Sequence, residues 1–262
     1  MRPQPYIGVT GFMDEADVRE VLFVFPKDAR HKLMVGVLAS QKTFRGEQNK
    51  YPNRYPDKDA IGKIFVDHPQ ALNLVHYHTL VSDQMLASEL MAVRQAAGPH
   101  CHGFQLNVRW PSPKALEIYH HASSIGFRPK QDTIVLQIGH HAMMEVDANP
   151  EILAERVRQY KGLVDYVLID PSGGKGEGFN KDFASECFAQ LGVLAPELGL
   201  GIAGGLSADT IGNIEGFLTM WPDISIDAEG RLRNEDDHLE VGKATRYVVE
   251  ANHLFRRYPM AA

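Results

Sequence analysis

The chain has 262 residues, 44% of them hydrophobic and 23% charged, with a formal net charge of −6. That composition belongs to a globular chain with a sizeable core, and its mild acidity leaves no electrostatic footprint for nucleic acid or an anionic membrane. Cys101 and Cys187 are the only cysteines and stand far apart, so neither a disulfide framework nor a zinc knuckle is expected, and the usage fits a reducing cytosol.

The opening residues Met1–Pro5 carry no apolar signal-peptide core, and no apolar run is long enough to span a bilayer, so a cytoplasmic location is expected. Strand-like runs then alternate with helix-period segments along the whole chain. Tyr6–Thr10 is followed by Asp14–Phe25, which carries Val18, Val21, Leu22 and Phe25 on one stripe. Leu33–Ala39 leads into Gln41–Pro56, a polar, proline-punctuated connection expected as a loop over the active face. Leu72–His78 precedes Ser82–Ala97, with Ser82 as N-cap and Met85, Leu86, Leu90 and Val93 as its apolar positions. Phe104–Arg109 precedes a helix that Ser112 caps, with Pro113 at its first position. Thr133–Ile138 is followed by the helix Glu151–Tyr160, with Pro150 near its start, and Asp165–Asp170 by a glycine-rich loop. Leu198–Ala203 leads to a helix that Ser207 caps, and Ile224–Asp227 to the long final helix Leu239–Arg257.

Eight such units at a spacing of about 30 residues predict a single (β/α)₈ TIM-barrel domain, an α/β fold, over residues 1–262. An open doubly wound sheet would show a glycine fingerprint after its first strand, and Gly8-Val9-Thr10-Gly11 is not one.

The glycines concentrate instead after strands six and seven. Asp170 ends strand six, where a barrel points its last side chain into the ligand mouth. A carboxyl there, desolvated by a closing loop, is a candidate general acid. Gly173, Gly174, Lys175 and Gly176 follow as a candidate lid or source of N–H donors, without P-loop spacing. After strand seven, Gly204 and Gly205 let the backbone approach a phosphate, with the positive end of a following helix behind them. Ala228, Glu229 and Gly230 are candidates to complete that phosphate site through their backbone N–H groups, provided the acidic side chains of Asp227 and Glu229 turn away. Each stretch also has a plain structural alternative: a turn before Pro171, a solvated loop, a tight strand-to-helix bend.

Paired histidines raise a metal reading. His76 and His78 end strand three, and His140 and His141 follow strand five, whereas His100 and His102 precede strand four on the opposite face and His120 and His121 lie mid-helix. A mononuclear hydrolase built from His78, His140 and Asp170 is one alternative, although neither a strand-one HxH nor an HExxH is present. Without a metal, His76, His78 and His140 are candidate general bases. Arg109 and Lys42 are candidates to bind a substrate carboxylate.

These motifs resemble those of the phosphoribosylanthranilate isomerase family. Asp170 with Gly173-Gly174-Lys175-Gly176 and Phe179 looks like the family's strand-six aspartate and glycine loop, and Ala203-Gly204-Gly205-Leu206 like its phosphate motif. Phe104-Gln105-Leu106-Asn107 and Ile7-Gly8-Val9-Thr10 are similar to its fourth and first strands, although strand four ends Asn107-Val108-Arg109 where the family has His-Gly. The resemblance implies an Amadori rearrangement of a phosphoribosyl amine, with Asp170 as acid and Gly204 and Gly205 holding phosphate. It implies a phosphorylated small-molecule substrate and no cofactor, and leaves the oligomeric state open, a homodimer included. The family's base is a cysteine at the position of Ile7, and isoleucine accepts no proton. Ser40-Gln41-Lys42 likewise replaces the family's strand-two motif. Two expectations therefore stand beside the metal hydrolase: an isomerase-like enzyme on a phosphorylated sugar, and a non-catalytic or regulatory barrel that binds such a metabolite.

Overall fold

The computed structural model describes residues 2–125, 131–170 and 181–258. Eight parallel strands close into a barrel in sequence order, as the alternation predicted. They are β1 (Tyr6–Thr10), β2 (Lys32–Ser40), β3 (Ala71–His78), β4 (Gly103–Asn107), β5 (Thr133–Gly139), β6 (Tyr166–Asp170), β7 (Gly199–Ala203) and β8 (Ser225–Ala228). The helices between them are α1 (Glu15–Val24), α2 (Gln41–Arg45), α3 (Ile61–Ile64), α4 (Met85–Ala96), α5 (Pro113–Ile125), α6 (His140–Met144), α7 (Pro150–Arg158), α8 (Lys181–Leu194), α9 (Glu215–Leu218) and α10 (Val241–Arg256). Among the described residues no helix is long and apolar enough to cross a membrane.

Side chains alternate across the barrel wall. Ile7, Val9, Val35, Val37, Val75, Leu106 and Ile169 face outward into a layer closed by Val18, Val21 and Leu22 of α1, Leu86, Leu90 and Val93 of α4, and Tyr247, Val248 and Ala251 of α10. The inward residues form a second, smaller core of Tyr6, Met34, Leu72, Leu74, Val135, Tyr166, Leu168 and Ala203. Above this plug, at the C-terminal end, the inward positions turn polar: Thr10, His76, Gln105, Gln137, Asp170 and Asp227 are all buried. The apolar floor seals one end, and the polar layer opens toward the βα loops.

Several boundaries differ from expectation for local reasons. Gln41–Pro56 contains the short helix α2, where Ser40 and Thr43 form a reciprocal cap, followed by a 3₁₀ turn at Pro52–Arg54. A threonine at the third helical position does the work usually done by Glu or Gln, so the signal is easy to miss. Ser82 does not cap α4: that helix begins at Met85, whose N–H donates to Asp83 Oδ1 at 2.9 Å, and Met85 itself is 65% exposed. Ser207 opens no regular helix. Its carbonyl accepts from Thr210 and Ile211, and the chain runs into a 3₁₀ segment at Ile211–Ile214. Pro113 and Pro150 do stand first in α5 and α7, where proline's missing N–H costs nothing.

Candidate active site

The mouth of the barrel holds a cavity of about 190 Å³. Its walls include His76 and His78 of β3, Gln137 of β5, Asp170 of β6, Asp227 and Ala228 of β8, and Arg54 from the β2 connection. Gly204, Gly205 and Gly230 add stretches of wall without side chains. Both glycines after β7 have positive φ, 116° and 63°, a conformation that L side chains rarely adopt.

A hydrogen-bonded chain crosses the polar layer. Thr10 Oγ1 donates to Asp227 Oδ1 at 3.0 Å, and Gln105 Nε2 donates to Asp227 Oδ2 at 2.9 Å. Gln105 Nε2 also reaches Gln137 Oε1 at 3.2 Å, and Gln137 Nε2 donates to Asp170 Oδ2 at 2.9 Å. Five strands thus tie the two aspartates together through two carboxamides. Amides do not ionise near neutrality, so they orient the carboxyls without relaying protons. Gly8 makes this possible, because a Cβ there would stand 2.6 Å from Asp227 Oδ1. Burial pushes the Asp227 carboxyl up to about 7. The hydrogen bonds from Gln105 and Thr10 work against that rise, and the negative charges of Glu229 and Asp170 add to it.

A second polar cluster closes over the mouth. The Arg54 guanidinium grips Asp237 with two bonds of 2.7 Å, from Nε and Nη2. Its Nη1 reaches Glu229 Oε1 at 3.0 Å, and the same oxygen accepts from Arg233 Nη2 at 3.2 Å. Asn53 Nδ2 adds a bond of 2.8 Å to the carbonyl of Asp236, and Tyr51 lies under the Arg54 guanidinium. The long β2 connection is thereby strapped to the β8 connection across the opening.

The predicted site residues separate into groups. Asp170, His78, Gly204, Gly205, Ala228, Glu229 and Gly230 all line the cavity. The Glu229 carboxylate, expected to point away, binds Arg54 and Arg233 at the rim. No full helix stands behind Gly204 and Gly205, so the helix-end contribution expected there is missing, and the bare backbone is what remains. His140 opens α6 at the rim as an exposed residue beside His141 and does not line the cavity. Arg109 is exposed and paired with Glu145 at 2.9 Å, and Lys42 is exposed on α2; neither lines the cavity. Gly173, Gly174, Lys175 and Gly176 lie outside the described residues. Among the described residues no group of three or more His, Cys, Asp and Glu side chains is arranged to hold a metal ion, so His78, His140 and Asp170 do not converge as the hydrolase reading requires. Ile7 faces the helical layer, and the mouth-side residues of β1 are Gly8 and Thr10.

The same barrel recurs in known structures. It superimposes on phosphoribosylanthranilate isomerase from Thermus thermophilus with a TM-score of 0.63 at 14% identity, over 95% of this chain and 99% of that one. The enzyme from Thermotoga maritima gives 0.62 at 14% identity, over 95% and 99%. The fold is a phosphoribosylanthranilate isomerase-like barrel. The catalytic domain of a Pyrococcus furiosus chitinase also matches, with a TM-score of 0.55 at 10% identity over 100% and 99% of the two chains, so this barrel shape carries more than one chemistry. No family model matches the sequence. No curated protein matches it either.

The sequence singled out Asp170 and the glycine pair after β7. It passed over Gln137 and Arg54, and it treated Asp227 as awkward beside a phosphate. The signal for Asp227 was present in strand parity: Ser225 and Asp227 share a face, and that face is the inside.

Proposed function

We propose that the protein isomerises a small phosphorylated sugar derivative in the mouth of the barrel, by proton transfer between carboxyl groups. The observation that carries this reading is Asp227, a buried carboxyl held near neutrality on the wall of the cavity and tied through Gln105 and Gln137 to Asp170. A carboxylate of raised pKa is a stronger base than an ordinary one, and it is better matched to a proton on carbon at pH 7. In the proposed step Asp170 gives a proton to the ring oxygen as the furanose opens. Asp227 takes the proton from the carbon beside the former anomeric centre. Asp227 then delivers a proton, exchangeable with solvent while it resides on the carboxyl, to the former anomeric carbon of the enol or enamine, and the neighbouring hydroxyl returns its proton to Asp170, so substrate and product are isomers and no co-reactant is needed.

The phosphate would lie against Gly204, Gly205 and Gly230, where the backbone comes close to the cavity. Arg231 lines the same cavity and adds positive charge there. A solved phosphoribosylanthranilate isomerase of similar fold, 12% identical with a TM-score of 0.62, is in complex with a reduced carboxyphenylamino-deoxyribulose 5-phosphate, a ligand of the class proposed here. The base differs from that suggested by the resemblance. It comes from β8 rather than from the first strand, whose mouth-side positions are a glycine and a threonine.

Freshly prepared phosphoribosylanthranilate, followed by its fluorescence loss, is the first substrate to test, alongside pentose 5-phosphates. Turnover in the wild type that falls by ~10³-fold or more in Asp170→Asn and in Asp227→Asn is expected. Full activity in either variant would remove that residue from the mechanism.

A further inference from the structure

His76 is 3% exposed, lines the cavity, and has no hydrogen-bond partner on either ring nitrogen. Its cross-strand neighbours explain why. Leu38 on β2 offers no polar atom, and Gln105 on β4 commits its amide N–H groups to Gln137 and Asp227, leaving its own oxygen unpaired. The protein therefore satisfies neither nitrogen, and the residue itself stands on the cavity wall. A buried imidazole kept this way costs stability unless a ligand completes it.

The ionisable groups facing the ring are Glu229 and Arg233 from the β8 side, Asp170 from β6 and His78 on its own strand. Burial lowers its pKa and is the dominant influence, with Glu229 opposing. At neutral pH the ring carries one N–H donor and one acceptor, and no charge.

We propose that His76 is a catalytic hydrogen-bond donor, whose uncharged ring N–H binds the carbonyl oxygen of an open-chain sugar, and that it does not act as a base. This rests on the sugar-phosphate reading and narrows it: the part of the ligand that reaches β3 is uncharged, with a carbonyl oxygen to accept and a hydroxyl to donate to the second nitrogen. As the proton leaves the neighbouring carbon, negative charge grows on that oxygen. A neutral N–H, already in place, stabilises the charge without surrendering its proton. Division of labour follows: Asp227 and Asp170 move protons, and His76 holds the oxygen.

The test is imidazole NMR on protein labelled with ¹⁵N-histidine, from pH 5 to 8, with His76→Gln to assign the signals. Ribulose 5-phosphate, phosphoribosylanthranilate and inorganic phosphate serve as separate probes, and calorimetry reports binding of each. The expected result is a ring that titrates below an ordinary imidazole and is neutral at pH 7 and above, with a signal moved by ribulose 5-phosphate and unmoved by phosphate. In turnover, His76→Gln, which keeps an N–H, should lose ~10-fold in kcat and His76→Leu ~10³-fold, with KM little changed in the former. A ring that titrates at or above the ordinary imidazole value of 6.5, or ribulose 5-phosphate that binds without moving the His76 signal, would overturn the proposal and leave the sugar-phosphate reading standing. Failure of both ribulose 5-phosphate and phosphoribosylanthranilate to bind would overturn both.

Discussion

Two buried residues give this protein opposite responses to pH. Burial raises the folded pKa of Asp227 to about 7 from the ordinary carboxyl value of 3.8. A raised pKa means its contribution is fully present below about 4 and is lost as pH rises through 7. The loss is on the order of 4 kcal/mol from the size of that shift. Asp227→Asn keeps the shape and an acceptor for Gln105, so the variant should melt several degrees higher than wild type at pH 8 and show no such gain at pH 4.5. Thermal melts at the two pH values check this. His31 works from the acid side. It is 1% exposed, its ring centre lies 4.0 Å from that of Phe255 with the planes tilted by 36°, and its Nε2 lies 3.1 Å from the Ile224 carbonyl oxygen. Burial pulls its pKa down to about 3, so its contribution is present above 6.5 and is lost as pH falls toward 3. His31→Leu should cost about 1–3 kcal/mol at pH 7, because it strands the Ile224 carbonyl, and should flatten the acid limb of a urea-denaturation series. An unchanged acid limb would mean that other groups dominate there.

At the scale of elements, the strap between the β2 and β8 connections joins two loops that line the cavity. Arg54 is bound to Asp237 and Glu229 while only 21% of its side chain is exposed, so these bonds are less screened than those of a surface pair. A double-mutant cycle on Arg54→Met and Asp237→Asn should give a coupling of about 1 kcal/mol in stability. The same Arg54 variant should weaken binding of a sugar phosphate by ~10-fold, since the loop carrying Tyr51 and Tyr55 then loses its anchor. Additive effects in the cycle would show that the strap is loose in solution. None of this was visible in the sequence, where Arg54 and Asp237 are 183 positions apart. The polar, proline-rich character of Gln41–Pro56 marked the loop but not its destination. The strands were legible for the contrary reason: β-branched runs at regular spacing repeat eight times, and parallel strands buried on both faces leave a local signature. The missing helix after Gly205 shows the limit, because Ser207 has the right chemistry for a cap and the residues after it do not sustain a helical turn.

For the whole molecule, barrel closure turns scattered polar residues into a site. Thr10, Gln105, Gln137, Asp170 and Asp227 come from five strands and meet only because eight strands close with their polar ends level. Sequence reading found the members that sit beside glycine-rich turns. It passed over Gln137 and gave Gln105 no role beyond the strand-four resemblance, since both look like any other polar residue until strand parity and register place them inside. The likeness to solved phosphoribosylanthranilate isomerases is one of fold. The mouth of this barrel pairs a near-neutral aspartate with a buried, unpartnered histidine. A non-catalytic barrel would use the same cavity for binding alone, and proton exchange separates the two readings. The decisive measurement is solvent exchange by ¹H NMR in D₂O, with ribose 5-phosphate, ribulose 5-phosphate and phosphoribosylanthranilate each mixed with wild-type protein, Asp170→Asn and Asp227→Asn. Deuterium entering the carbon next to the carbonyl or anomeric carbon of at least one of them, with wild type alone and with binding kept in the variants, is the predicted result. Binding without exchange in the wild type would contradict the proposed catalysis, and the barrel would be a receptor for its ligand rather than an enzyme.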